Sequence, residues 1–136
     1  MSTACPCGLK ATYAECCGTF HTGRSLPATA ELLMRSRYSA YALRLVDYLL
    51  YSHHPRQHGK NEKEKVKQAA EGVDFFRLEI LHTSQGQVND KIGKVEFKAF
   101  YRQGNELGCI HENSRFKRYQ GRWVYWDGDL FESESV

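Results

Sequence analysis

Four of the five cysteines, Cys5, Cys7, Cys16 and Cys17, fall within 13 residues as Cys-x-Cys, an eight-residue spacer and Cys-Cys. Zinc takes four thiolates in a tetrahedron with Zn–S near ~2.3 Å. The spacer is long enough to fold back and bring both pairs to one ion, and Gly8 and Gly18 permit the close backbone approach this needs. Four thiolates leave no coordination position for water, so the implied site is structural rather than catalytic. One zinc per chain on Cys5, Cys7, Cys16 and Cys17 is therefore expected, with His21 as a lesser candidate ligand. Left free, adjacent thiols in a Gly-rich segment would be an oxidation liability. Disulfides are disfavoured by the odd count and by the isolation of Cys109. Residues 1–20 hold too few apolar groups to fold alone, so metal binding would supply folding energy.

A second group of polar residues surrounds an apolar helical stripe. Arg35 and Arg37 sit beside it, and a half-buried guanidinium needs a carboxylate or a ring of carbonyls to offset its desolvation. Glu112 and Asp127, in the strand-forming second half, are the partners the pattern offers. Arg37 joined to one of them would be a clamp tying helix to sheet. The same set, with Tyr41 and Tyr125 on the rim, would otherwise form the polar floor of a ligand pocket. His111 beside Glu112, or Asp127 itself, could act as a general base. No Ser–His–Asp order, P-loop, dinucleotide fingerprint or His-Glu-x-x-His motif accompanies them.

Three stretches must position these groups. Residues 1–24 are Gly- and Cys-rich and form the knuckle. In residues 28–72 the pattern is helical. Thr29 caps a helix with Glu31 in its first turn, and Leu33, Met34, Tyr38, Tyr41 and Leu45 recur at helical spacing. A second helical piece covers about 46–52, ahead of Pro55, and 62–71 forms a charged surface helix. Residues 74–127 alternate with period two: Phe76, Leu78 and Ile80 on one face, then Val95, Phe97, Ala99 and Tyr101, then Trp123 and Tyr125. On the third strand, Leu107, Cys109 and His111 oppose Ile110, Glu112 and Phe116. Gly86, Gly104 and Gly121 supply the turns. The domain spans residues 28–128, followed by a polar tail over 129–136. Helices then strands is an α+β arrangement with segregated elements.

The segment CPCGLKATYAECCG resembles the cysteine motif at the end of the SecA translocation ATPase, which binds zinc and touches partner proteins. LMRSRYSAY at 33–41, DYLL and HHP between Asp47 and Pro55, GKVEF at 93–97, HENSRF at 111–116 and GRWVYWDG at 121–128 resemble the YchJ family of small bacterial proteins. The resemblance implies a zinc knuckle followed by a nuclear transport factor 2-like cone, in which helices pack on a curved antiparallel sheet. It carries the zinc-ligand role to Cys5, Cys7, Cys16 and Cys17. Many relatives repeat the motif near the C-terminus, whereas no cysteine follows Cys109 here.

With 41% hydrophobic and 26% charged residues, the 136-residue chain has the balance of a soluble globular protein. No apolar run approaches a membrane span, and Met1 to Lys10 has neither the basic start nor the apolar stretch of a secretory signal. The expected home is the cytoplasm. A net charge of +3, falling to about +1 once four thiolates hold a divalent ion, argues against a nucleic-acid partner. The reading is a zinc-binding adaptor or binding module that meets a protein partner through the knuckle and a small-molecule ligand in the cone. The alternative is a small proton-transfer lyase, hydrolase or isomerase working in the cone.

Overall fold

The computed structural model describes residues 3–131. The knuckle ends in α1 (Cys17–His21), and α2 (Ala30–Ala42), α3 (Val46–Tyr51) and α4 (Glu62–Glu71) follow. Four strands follow, β1 (Asp74–Gln85), β2 (Ile92–Gln103), β3 (Glu106–Tyr119) and β4 (Arg122–Leu130), as an antiparallel meander in sequence order. The β3–β4 connection is a two-residue hairpin in which Gln120 and Gly121 both have positive φ (50° and 79°), matching the right-handed twist of the strands.

α2 organises the molecule. Thr29 Oγ1 accepts from the Leu32 N–H (3.2 Å), and the helix ends where Arg44 takes a left-handed φ of 59°. Leu33, Met34 and Tyr38 pack on Val95, Phe97, Phe116 and Trp123 of the sheet. The helix is not amphipathic in the simple sense, because Ser36 and Ser39 are buried too. A second layer, the knuckle, covers that side. α3 and α4 close a smaller cluster of Ala40, Tyr48, Leu49, Val66 and Ala70, so the charged α4 does bury one edge.

Bulges decide which side chains face the helices. In β1 the register slips between Phe75 and Arg77, so Phe75 pairs with Tyr101 and Leu78 with Ala99. Phe76 is the extra residue and is half exposed, while Phe75 joins Leu78 and Ile80 against the core. This corrects the period-two expectation for Phe76: an inserted residue reverses the parity of what precedes it. Trp123 does lie inward, its Nε1–H donating to the Ala28 carbonyl (3.1 Å). The edge of β4 is blunted by residues 52–54: Tyr125 N–H donates to Ser52 O (2.8 Å) and His54 N–H to Tyr125 O (2.9 Å).

The tail expectation also needs correcting at its start. Leu130 still pairs with Glu112, the Phe131 N–H donates to His111 O (2.8 Å), and the Phe131 ring stacks on His111 at 4.0 Å. Backbone pairing with β3 extends the order through these residues. The rest of the expected tail, 132–136, lies outside the described residues.

Candidate metal centre and cone cavity

The knuckle is built around a short hairpin. Ala4 and Thr12 form an antiparallel bridge, Cys5 N–H donates to Ala11 O (3.1 Å) and Tyr13 N–H to Thr3 O (2.8 Å). Gly8, at φ +92°, turns the chain directly after Cys7. Gly18 packs so tightly that a Cβ there would lie 2.6 Å from the Tyr13 carbonyl oxygen, which is how Cys17 reaches the other cysteines. The four Sγ atoms lie within 4.8 Å of one another, with Cys7 and Cys16 3.7 Å apart. Thiolates ~2.3 Å from one tetrahedral ion sit about 3.8 Å from each other, whereas a disulfide would need ~2.05 Å. All four are free thiols at the separation of metal ligands, and the set fits a divalent ion.

Electrostatics points the same way. A hydrogen bond from the Cys17 thiol holds the Cys7 thiol down at about 5. The same bond is the largest influence raising Cys17, and burial pushes Cys16 up to about 12. Four anions this close cannot coexist in a buried site without a cation among them.

Contacts from α2 hold the knuckle. Arg35 Nη1 donates to the Cys7 carbonyl (2.7 Å) while its Nε–H bonds Glu31 (3.0 Å). Ser39 Oγ lies 3.6 Å from Cys5 Sγ. His21 is not a ligand. Its Nε2 meets the Ser36 carbonyl (2.8 Å), which only accepts, so Nδ1 accepts from the Tyr13 hydroxyl (2.6 Å). Burial lowers the His21 pKa, consistent with this neutral bridging role. Sequence reading missed Ser36, Ser39 and His21 as supports, because serines on a helix normally signal solvent.

Between α2, the end of α4 and the inner sheet face lies a cavity of about 450 Å³. Arg37, Tyr41, Glu112 and Tyr125 line it, whereas Arg35 and Asp127 do not. Arg35 and Arg37 are two positions apart, about 200° around a helix, so they serve opposite sides of α2. The expected Arg37–carboxylate clamp is corrected. Arg37 Nη1 donates to the Leu49 carbonyl (2.9 Å) and Ser52 Oγ (2.7 Å), and its guanidinium carbon lies 4.9 Å from the Tyr125 ring centre. Oxygen dipoles and a π face do the work assigned to an acid.

Glu112 Oε2 accepts from Ser114 Oγ (2.5 Å) and from the Tyr125 hydroxyl (3.1 Å). Burial, then the neighbouring Glu112 charge, drives the Tyr125 pKa upward, so its phenol stays a donor. Gly128 makes room for this carboxylate: a Cβ there would lie 2.3 Å from Glu112 Oε2. Asp127 bonds Arg115 Nε (2.5 Å) on the sheet's other face, because a bulge opposite Arg115 and Phe116 breaks the alternation after Tyr125. His111 is elsewhere as well, its Nε2 2.7 Å from Glu96. Neither base suggested by the sequence lines the cavity.

Comparison with known proteins bears on both parts. The family model described as "YchJ, middle NTF2-like domain" matches residues 29–128, and the SEC-C motif model matches residues 1–19. The chain belongs to the YchJ family. Among YchJ-family relatives, a UPF0225 protein of Vibrio parahaemolyticus is 38% identical over 135 residues, covering 99% of this chain and 80% of the relative. One from Corynebacterium glutamicum is 42% identical over 130 residues, covering 96% and 99%. The solution structure of a SEC-C motif containing protein from Rhodopseudomonas palustris superposes with a TM-score of 0.83 at 33% identity, over 97% of this chain and 100% of that one. A crystal structure of a SEC-C motif containing protein from Psychrobacter arcticus gives 0.78 at 26% identity, over 96% and 84%. The SEC-C assignment of the knuckle and the NTF2-like fold of the YchJ domain thus agree with the geometry. Among the described residues, no helix is long and apolar enough to cross a membrane.

Proposed function

We propose that this chain is a zinc-stabilised binding module of the cytoplasm, whose knuckle meets a protein partner and whose cone holds a small molecule. The observation that carries the metal part is the close set of four Sγ atoms, with Cys7 and Cys16 3.7 Å apart. Zinc is the ion of choice because it accepts four thiolates in a tetrahedron and has no redox chemistry of its own. Cys5, Cys7, Cys16 and Cys17 would hold it, and the ion would supply folding energy and charge neutralisation to the knuckle. Free thiols at this density belong in a reducing compartment, which supports the cytoplasm.

The partner reading rests on the SEC-C likeness and on the exposed outer surface of the knuckle around Lys10, Ala11, Ala14 and Glu15. Capture from lysate by zinc-loaded wild-type and Cys16→Ser protein tests it. A partner retained equally by both would remove the knuckle from the interaction. The enzyme alternative would have to draw on Glu112, since His111 and Asp127 lie outside the cavity. Among the described residues, Glu112 is the one carboxylate lining the cavity, and its Oε2 is already held by the Ser114 and Tyr125 hydroxyls, which suits a fixed recognition group.

A further inference from the structure

We propose that the cone cavity binds a small, electrically neutral aromatic molecule that offers a carbonyl-type acceptor to Arg37 and Tyr38 and an N–H donor to Glu112. This deepens the binding-module reading by naming the chemistry of its ligand.

Size comes first. A space of about 450 Å³ holds roughly 15 water-sized groups at ~30 Å³ each, so the ligand has on the order of 10–15 non-hydrogen atoms. The mouth lies where exposed Ala69 of α4 and Gln103 of β2 meet. The walls are mainly rings. Phe75 packs against Tyr38, Tyr41 and Tyr101 with centroid separations of 5.8, 6.0 and 6.0 Å. Rings set edge to face at these distances present apolar slots suited to a flat aromatic guest.

The polar groups set its edge chemistry. Tyr38 is only 2% exposed, yet its hydroxyl, in a side chain that lines the cavity, has no hydrogen-bond partner among the described residues. Burial pushes its pKa to about 12, so it is a neutral donor. The hydroxyl oxygen is not sealed from solvent, so it opens onto the cavity, where a guest can accept from it. Arg37 is 7% exposed and makes both its hydrogen bonds through Nη1, leaving Nη2 without an acceptor among the described residues. Glu112 takes Ser114 and Tyr125 on Oε2 alone, leaving Oε1 to accept. The cavity therefore offers donors from α2 and an acceptor from β3, with one positive and one negative charge. A net-neutral guest with an acceptor and a donor side by side satisfies all three. A carboxylate would meet Glu112 with like charge, and a hydrocarbon would leave the three groups unpaired.

The test uses the zinc-loaded full chain, isotopically labelled, titrated by NMR with three near-isosteric probes: 2-naphthamide, methyl 2-naphthoate and 2-naphthoate. The amide carries acceptor and donor, the ester the acceptor alone, and the carboxylate acceptors with charge. The amide should bind at least threefold tighter than either, with shifts centred on Tyr38, Ile110 and Tyr125. Tyr38→Phe should weaken the amide two- to tenfold while leaving the melting temperature unchanged, since the hydroxyl has no protein partner to lose. Glu112→Gln should abolish the discrimination against the carboxylate. Absence of saturable binding by all three at millimolar concentration overturns the proposal. So does equal affinity for amide and ester, an unaffected Tyr38→Phe, or shifts confined to the outer sheet face. Zinc content of the same samples, read by native mass spectrometry, is independent of these outcomes. A chain holding one zinc but binding no probe would sink the ligand assignment and leave the metal module standing. A chain holding no zinc would sink the module itself.

Discussion

Replacing Arg37 by Met should destabilise the protein by about 2–4 kcal/mol. The loss leaves the Leu49 carbonyl with only a long contact from Ser52 Oγ (3.4 Å), and a poorly satisfied buried acceptor costs about 1–3 kcal/mol. Guanidinium stacking on the Tyr125 ring adds about 0.5–2 kcal/mol when desolvated. Against these stands the relief of no longer burying a cation, which keeps the sum well below the gross value of the bonds. Urea unfolding of the zinc-loaded protein reads it directly. With a slope of about 2 kcal/mol per molar, the midpoint should drop by roughly 1–2 M at unchanged slope. Glu112→Gln is the control that exposes the reasoning. If Glu112 were the counter-ion of Arg37, removing its charge would strand a buried cation at a cost of about 3–5 kcal/mol. Because the partners of Arg37 are oxygen dipoles, and a Gln oxygen can still accept from Ser114 and Tyr125, the cost should stay near 1 kcal/mol. An Arg37→Met cost within about 0.5 kcal/mol, or an equal and large cost for Glu112→Gln, would refute this account of the cavity floor.

Three further outcomes follow from the same structure. Trp123→Ala should cost about 3–5 kcal/mol by thermal or urea unfolding, because a fully buried ring and its bond to Ala28 O are both lost; below about 1 kcal/mol, the inward placement is wrong. Gly128→Ala should cost about 1–3 kcal/mol by displacing the Glu112 carboxylate, and most of that cost should vanish in a Glu112→Ala background; simple additivity would mean the two do not touch. Burial, with Arg37 nearby, lowers His53 from 6.5 to about 4, so the unfolded chain binds the extra proton between those values. Stability should therefore fall as pH drops from about 6.5 through 4, and His53→Gln should flatten that limb in a pH series of unfolding curves; an unchanged slope would assign the acid sensitivity elsewhere.

The knuckle was the most legible part of the chain, because its geometry is local: four cysteines within one short segment carry their closeness in their spacing. The order of helices and strands was legible too, since Thr29 marks the start of α2, Leu33, Tyr38 and Tyr41 recur along it at helical spacing, and much of β2 alternates cleanly. What failed did so where one residue changes parity. The bulge at Phe76 turned that ring outward, and the bulge after Tyr125 sent Asp127 to Arg115 rather than to Arg37. A bulge is one inserted residue, and no composition rule announces it. The buried serines of α2 were illegible for a different reason. A helix covered on two sides loses its polar face, and the second cover, the knuckle, lies far along the chain from the residues it hides. Tyr38 belongs to the apolar stripe of α2, and its hydroxyl becomes informative only once the cavity onto which it opens is visible.

The central claim is that four cysteines of one chain hold one zinc ion. X-ray absorption at the zinc edge, on protein purified without added metal and quantified by native mass spectrometry, tests it most directly. One zinc per chain with four sulfur neighbours at about 2.3 Å is the predicted result. A metal-free chain, or a first shell containing nitrogen or oxygen in place of any of the four sulfurs, would contradict it.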